Sequence, residues 1–210
     1  MIRFYQCRRP TCDLRFPATP QDGPQSSCPR CGGPLTLAAT RAPEARRSWK
    51  QARDRPLRLV ALLDNLRSVF NVGSIFRTAD GAGVDHLYLA GITPTPEQPR
   101  LAKTALGAER SVSWAYGPNG VALARSLQDQ GYRLWALESS PGAVSLFESP
   151  STAEGPPSRL ALVVGNEVTG VDPGILSLCD QICCIPMHGV KESLNVAIAF
   201  GIAAYYLLHR

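Results

Sequence analysis

Polar residues that could bind a ligand or take part in catalysis occur in three segments of the sequence. The segment nearest the C-terminus, residues 185–199, reads IPMHGVKESLNVAIA and leads into an apolar stretch. Ser193 or Asn195 can cap the helix that this stretch predicts, and one cap is enough for a helix. The segment offers more polar side chains than a cap needs: His188, Lys191, Glu192, Ser193 and Asn195. The surplus indicates that a ligand binds here.

A second group of polar residues lies in residues 65–79, NLRSVFNVGSIFRTA. Apolar residues repeat at helical spacing from Val72 to Ala79, which predicts a helix with Asn71 as its cap. Arg77 lies off the apolar stripe. It is either a surface arginine paired with Asp80 three residues later or a guanidinium directed into a site, and spacing leaves both interpretations open.

The third group follows a predicted strand in residues 160–173, LALVVGNEVTGVDP. The strand ends in a loop that contains glycine, and Asp172 with Pro173 predicts the start of a helix. Loops of this kind often bind phosphate, but no Lys-Ser/Thr pair follows the glycines, and no GxGxxG follows a strand. A P-loop or a dinucleotide-type pocket is therefore disfavoured.

Four cysteines near the N-terminus have the spacing of metal ligands. They form two close pairs, Cys7 with Cys12 and Cys28 with Cys31, which predict a structural Zn²⁺ in a zinc-ribbon-like fold. A segment of about 35 residues buries too little apolar surface to fold unaided, so a metal is expected. Two disulfides or four free thiols are the alternatives. Neighbouring arginines could contact the phosphates of a nucleic acid: Arg3, Arg8, Arg9, Arg15 and Arg30.

The composition predicts a folded protein with one ordinary domain and an appendage. The chain has 210 residues and a net charge of +5, a mild basic excess that fits an anionic partner without requiring one. No export signal is visible, and the apolar stretch over 194–208 is shorter than the roughly 20 residues that span a bilayer. We therefore expect a cytoplasmic protein with no membrane partner, and core positions for the remaining cysteines, 179, 183 and 184.

Strand-like and helix-like segments alternate after residue 57, which predicts an α/β fold with a mainly parallel sheet and helices on both faces. The predicted strands are residues 57–63, 86–90, 131–137, 159–165 and 181–186, and the predicted helices cover 72–79, 121–128 and 194–208. Residues 139–158 read as a long loop. We expect a zinc-ribbon-like domain at 1–38, a basic linker at 39–56 and the α/β domain at 57–210. The last helix is apolar nearly all round, which favours a homodimer.

Taken together, the three polar segments resemble the SpoU/TrmH family of the SPOUT superfamily, whose members are S-adenosylmethionine-dependent RNA ribose 2′-O-methyltransferases. The first motif is matched by residues 71–79 (NVGSIFRTA), the second by 164–167 (VGNE), and the third by 185–187 (IPM) with 193–195 (SLN). The resemblance covers residues 57–210 and leaves the N-terminal cysteines outside it.

The resemblance implies a C-terminal trefoil knot, a rare exception to the rule that chains are unknotted, and S-adenosylmethionine bound among the knot loops. The cofactor-binding residues that it implies are Val164, Gly165, Asn166, Gly170, Ile185, Met187, Ser193 and Leu194. The catalytic residues that it implies are Arg77, Asn71, Glu167, Ser193 and Asn195. A guanidinium is a reluctant base, so Arg77 would align the hydroxyl and stabilise the developing alkoxide, with deprotonation by Arg77 itself left open.

The implied partner is a structured RNA, either tRNA or rRNA. Three other functions compete with ribose methylation: a non-catalytic RNA-binding module with the same fold, a base-directed RNA methyltransferase, and a zinc-dependent hydrolase. The full polar set argues against a non-catalytic module, and the Asn-to-Arg spacing of the first motif favours ribose over base. Four cysteine ligands leave zinc no open position for hydrolysis.

Overall fold

The structure is a computed structural model that describes residues 1–42, 56–148 and 157–209. The chain divides into two compact units, Met1–Arg53 and Asp54–Arg210. Among the described residues, none of the helices has the length and apolar character that crossing a bilayer requires.

The first unit is a small antiparallel sheet. Its strands are β1 (Ile2–Cys7), β2 (Arg15–Ala18) and β3 (Leu35–Arg41), in the order β2-β1-β3. The domain boundary expected at residue 38 falls inside β3, because β1 continues to pair with that strand as far as Arg41. The first three residues of the predicted basic linker, 39–56, therefore belong to β3. Most of the remaining linker, residues 43–55, lies outside the described part of the chain.

The second unit is built on seven strands and five helices in the part of the chain that the structure describes. In chain order these are β4 (Arg58–Asp64), α1 (Val69–Ala82), β5 (His86–Ala90), α2 (Ala102–Ala105), β6 (Trp114–Gly117), α3 (Gly120–Asp129), β7 (Arg133–Leu137), β8 (Val144–Ser145), β9 (Arg159–Val164), α4 (Pro173–Leu176), β10 (Gln181–Cys184) and α5 (Val196–His209). The strand order is β6-β5-β4-β9-β7-β10-β8, and every pairing is parallel. The predicted parallel α/β fold is confirmed, and the trefoil knot stays a prediction.

Helices cover both faces of this sheet, as predicted. Alternate residues of each strand point to opposite faces, so β4 sends Leu59, Ala61 and Leu63 into a core shared with α1 and α5. The intervening residues, Val60 and Leu62, pack on the other face with α3 and α4. Because both faces are covered, the central strands read as unbroken apolar runs.

Two details differ from the sequence-based predictions. Strands β6 and β8 were not predicted, and β8 lies in the predicted loop 139–158, of which residues 149–156 are outside the described part. Asn71 is not the cap of α1, because Ser68 occupies that position and accepts a hydrogen bond from the Asn71 N–H at 3.3 Å. Helix α5 leaves Ile198, Ile202 and Tyr205 exposed as a stripe within one chain, and the homodimer that its apolar sequence favours stays a prediction.

Candidate active site

A cleft of about 820 Å³ lies where β7, β9 and β10 end. The carboxyl ends of parallel strands meet at one edge of a sheet, which is where ligands bind in open α/β folds. All eight predicted cofactor-binding residues line this cleft: Val164, Gly165, Asn166, Gly170, Ile185, Met187, Ser193 and Leu194. Four of the five predicted catalytic residues line it as well: Asn71, Glu167, Ser193 and Asn195. The fold thus brings three distant motifs together, while their roles stay predictions.

Arg77 is the predicted catalytic residue that the cleft lining leaves out. Its side chain is exposed on α1, almost two turns beyond Asn71. The pairing with Asp80 that spacing suggested is also absent, although both residues lie in the described part of the chain. Asp80 instead accepts a hydrogen bond from Ser111 Oγ at 2.7 Å. Within one chain, therefore, Arg77 is not a wall of the cleft.

A chain of side-chain hydrogen bonds joins the three motifs at the cleft. Asn195 Oδ1 accepts from the N–H groups of Ala197 and Ile198, at 2.9 and 3.4 Å, and so caps α5. Its Nδ2 donates to Asn71 Oδ1 at 3.0 Å, and Asn71 Nδ2 donates to Glu167 Oε1 at 2.9 Å. Each amide must then have one orientation, because the cap fixes the first and the carboxylate accepts from the second.

Glu167 ends this chain of hydrogen bonds and also holds the start of α1. Its carboxylate accepts from the Arg67 N–H at 2.9 Å and from the Ser68 N–H at 3.2 Å. Partial burial alone would raise the pKa of Glu167, but these bonds and the one from Asn71 lower it below the ordinary 4.5. A carboxylate with a lowered pKa is a weak base at neutral pH, so Glu167 is suited to positioning and not to accepting a proton.

Backbone geometry shapes the loop of the second motif. Asn166 Oδ1 accepts from the Val168 N–H at 2.9 Å, and its Nδ2 donates to the Asn65 carbonyl at 2.7 Å. A Cβ on Gly165 would lie 2.3 Å from the Gly170 carbonyl carbon, which explains the glycine. The loop therefore folds back tightly on itself, and its backbone groups line the cleft.

Several cleft residues have no counterpart in the sequence-based predictions. Arg67, Glu138 and Cys184 line the cleft, whereas His188 and Lys191 are exposed outside its lining. No motif or spacing in the sequence predicts that Arg67 and Glu138 line the cleft, because strand order and a turn bring them to the site. Cys184 was predicted to lie in the core.

The other two late cysteines pack in the sheet region as predicted. Cys183 is buried, and Cys179 packs against the second core cluster. Burial raises the pKa of Cys179 to about 12 and that of Cys183 to about 11. Because the thiolate is the reactive form, both thiols are inert at neutral pH.

The four N-terminal cysteines converge in the first unit. Their sulfur atoms all lie within 4.8 Å of one another, with Cys7 Sγ 3.5 Å from Cys31 Sγ and Cys12 Sγ 3.8 Å from Cys28 Sγ. None of these four cysteines is in a disulfide bond. A tetrahedron of sulfurs at the usual Zn–S distance has edges of about 3.8 Å, so the cluster matches that geometry.

Residues 58–205 of the chain match the sequence model of the SpoU rRNA Methylase family. The tRNA (guanosine(18)-2′-O)-methyltransferase of Aquifex aeolicus is 32% identical over 151 residues, which cover 70% of this chain and 67% of that protein. The 23S rRNA (guanosine(2553)-2′-O)-methyltransferase RlmP of Bacillus subtilis is 31% identical over 71% of this chain and 58% of that protein. The chain spans between 51% and 67% of the lengths of the curated relatives compared.

Solved structures with the same fold include relatives with a bound cofactor. The A. aeolicus TrmH/SpoU tRNA modifying enzyme superimposes with a TM-score of 0.63 and 30% identity, over 73% of this chain and 75% of that one. The SpoU methyltransferase AviRb from Streptomyces viridochromogenes, in complex with AdoMet, gives a TM-score of 0.62 and 25% identity over 73% of this chain and 60% of that one.

Proposed function

Because the chain belongs to the SpoU rRNA methylase family, we propose that it transfers a methyl group from S-adenosylmethionine to a ribose 2′-hydroxyl in structured RNA, either tRNA or rRNA. One observation carries the proposal: residues of all three motifs line a single cleft and are joined there by hydrogen bonds. The names of the relatives from A. aeolicus and B. subtilis support ribose as the acceptor and guanosine as the nucleoside.

The cleft suits S-adenosylmethionine in size and lining. About 820 Å³ lies in the range of pockets that enclose a ligand of this size. Its apolar wall, from Leu137, Val164, Ile185, Leu194 and Ala199, fits a purine ring. S-adenosylmethionine carries no phosphate, so the cleft needs no phosphate-binding loop. The cofactor supplies a methyl group on a cationic sulfur, open to in-line attack by a hydroxyl oxygen.

The residues of the chain then position the acceptor. The hydrogen bonds from Asn195 through Asn71 to Glu167 hold the start of α1 against the loop of the second motif. This arrangement fixes the part of the cleft wall on which the ribose of the RNA would lie. A fixed wall lowers the entropic cost of aligning the 2′-hydroxyl with the methyl group. Its low pKa leaves Glu167 ionised and unsuited to removing the proton.

Arg77 would complete the site in a homodimer. The exposed stripe of α5, from Ile198, Ile202 and Tyr205, is 56%, 36% and 46% exposed and forms an apolar surface that a second copy could cover. Arg77 is next in sequence to Thr78, which faces α5, because a Cβ on Gly201 would lie 3.4 Å from Thr78 Cγ2. We infer that dimer formation brings Arg77 of each copy to the cleft of the other, where it aligns the hydroxyl and stabilises the developing alkoxide.

The cysteine cluster would hold a structural Zn²⁺ through Cys7, Cys12, Cys28 and Cys31. Four thiolates supply the complete tetrahedral set, and the small buried core of the first unit makes a metal valuable for its folding. A cysteine-ligated metal and an RNA substrate both fit a reducing compartment, so we propose the cytoplasm as the location.

A methyl-transfer assay tests the proposal. Purified protein with labelled S-adenosylmethionine is offered size-separated RNA pools, and product nucleosides are identified by mass. We expect a 2′-O-methylnucleoside from one pool. Arg77→Ala should lower turnover by about 10²-fold or more with unchanged cofactor affinity, whereas Arg125→Ala, an exposed arginine of α3, should be neutral. Cofactor binding without transfer to any pool would favour the non-catalytic module, and a methylated base would refute ribose as the acceptor.

A further inference from the structure

Glu138 lies in the wall of the cleft, immediately after β7 ends. Its backbone N–H donates to the Cys183 carbonyl at 2.9 Å, which extends the pairing of β7 with β10. The position of Glu138 in the cleft is therefore set by the sheet itself.

Two backbone groups fix the orientation of the Glu138 carboxylate. Oε2 accepts from the Val171 N–H at 2.9 Å, and Oε1 accepts from the Ser139 N–H at 3.2 Å. Each oxygen of a carboxylate can accept about two hydrogen bonds. Among the described residues each oxygen receives one, so both oxygens can accept a further hydrogen bond from a ligand.

The opposite loop leaves space for this carboxylate. Gly170 adopts a φ of +73°, and a Cβ at that position would lie 2.5 Å from Glu138 Oε2. A side chain at residue 170 would thus displace the carboxylate from the Val171 N–H. The glycine and the glutamate fit together as a pair.

The other two carboxylates of the cleft are placed differently. Glu167 is engaged by the start of α1 and by Asn71, and Glu192 is exposed on the loop before α5. Glu138 instead directly follows Leu137, a residue of the apolar wall, and its N–H bonds to Cys183 of β10. Because Glu138 lines the same cleft as this wall, a ribose attached to a purine there would lie within reach of its carboxylate.

We propose that Glu138 binds the ribose hydroxyls of S-adenosylmethionine, an inference that rests on the proposed function. The two available lone pairs match the two donors of a vicinal diol, and a fixed carboxylate that accepts from ribose is a general means of recognising nucleosides. The methionine part of the cofactor is attached at the ribose 5′ carbon, away from the diol, so the diol can be tested without it.

The test compares a nucleoside with and without its diol. Calorimetry measures the affinity of 5′-methylthioadenosine and of its 2′,3′-dideoxy analogue for the wild-type protein and for Glu138→Ala, with Glu138→Gln as a milder variant. We expect the wild type to bind the dideoxy analogue about tenfold or more weakly, because each lost hydrogen bond is to a charged acceptor. In Glu138→Ala the two ligands should bind equally well. In Glu138→Gln the difference in affinity between the two ligands should be smaller than in the wild type.

The design separates recognition of the diol from a structural effect. A loosened loop would weaken both ligands alike, so a wild-type-sized difference that persists in both variants would overturn the inference. Asp129→Ala, an exposed carboxylate of α3, should keep the full difference. Failure of the wild type to bind 5′-methylthioadenosine or S-adenosylhomocysteine would instead refute the proposed function, and the inference with it.

Discussion

Asn195 makes two kinds of hydrogen bond that substitutions can separate. Its Oδ1 accepts from two N–H groups at the start of α5, and its Nδ2 donates to Asn71. Asn195→Ala removes both. Loss of a helix cap costs about 1 kcal/mol, and loss of the bond to Asn71 costs about 0.5–1.5 kcal/mol, so the free energy of unfolding should fall by about 2 kcal/mol.

Asn195→Asp keeps the cap and breaks only the link to Asn71. A carboxylate accepts from the same N–H groups and interacts favourably with the helix N-terminus, but it presents an acceptor to Asn71 Oδ1. We expect this variant to unfold within about 1 kcal/mol of the wild type. Its methyl-transfer rate should still fall, because Asn71 and Glu167 lose their shared alignment.

Thermal unfolding and methyl transfer, measured on both variants, check this reasoning. A loss of about 2 kcal/mol corresponds to a Tm lower by roughly 4–8 °C for a chain of this size, expected for Asn195→Ala only. If Asn195→Asp is destabilised as strongly as Asn195→Ala, the helix cap is not what Asn195 contributes to the free energy of unfolding. If Asn195→Asp retains full turnover, the link between the motifs is not needed for the reaction.

Three further predictions concern the metal, the pH and the assembly. We expect one Zn²⁺ per chain by elemental analysis, and Cys12→Ser or a strong chelator should abolish hydrogen-exchange protection in β1–β3 but not in β4 or β9. Glu167 has a lowered pKa in the folded protein, so its stabilising effect is fully present above pH 4.5. The effect is lost as the pH falls through the pKa of Glu167 in the folded state. The Tm advantage of the wild type over Glu167→Gln should therefore shrink below pH 4.5, and a constant difference would contradict this. Ile202→Glu should halve the mass measured by light scattering, while Ile92→Glu, an exposed residue outside the α5 stripe, should not.

The central strands could be predicted because both of their faces are buried. The runs in β4 and β9 are apolar without interruption, and such runs are typical of covered parallel strands. Strand β6 has four residues at the sheet edge and is partly exposed, and β8 has only two, so neither carries a clear pattern. Their existence depends on neighbouring strands and not on local sequence.

The candidate site could be predicted only in part. The resemblance identified the motif residues, but the role of Asn71 as a cap was wrong, because Ser68 three residues earlier is an equally good cap by residue type. Glu138 follows a strand with no motif around it, and its hydrogen bond to the Val171 N–H spans 33 residues. Contacts of this range follow from topology, which local patterns do not encode.

The hydrogen bonds that complete the cleft join residues far apart in the chain. Asn71 and Glu167 are 96 residues apart, and Asn71 and Asn195 are 124 apart. A ribosome makes residue 195 long after residue 71, so a growing chain has strands and helices well before it has a cleft. We expect S-adenosylmethionine to bind only chains that have been synthesised past α5, so the cofactor cannot guide the earlier steps of folding.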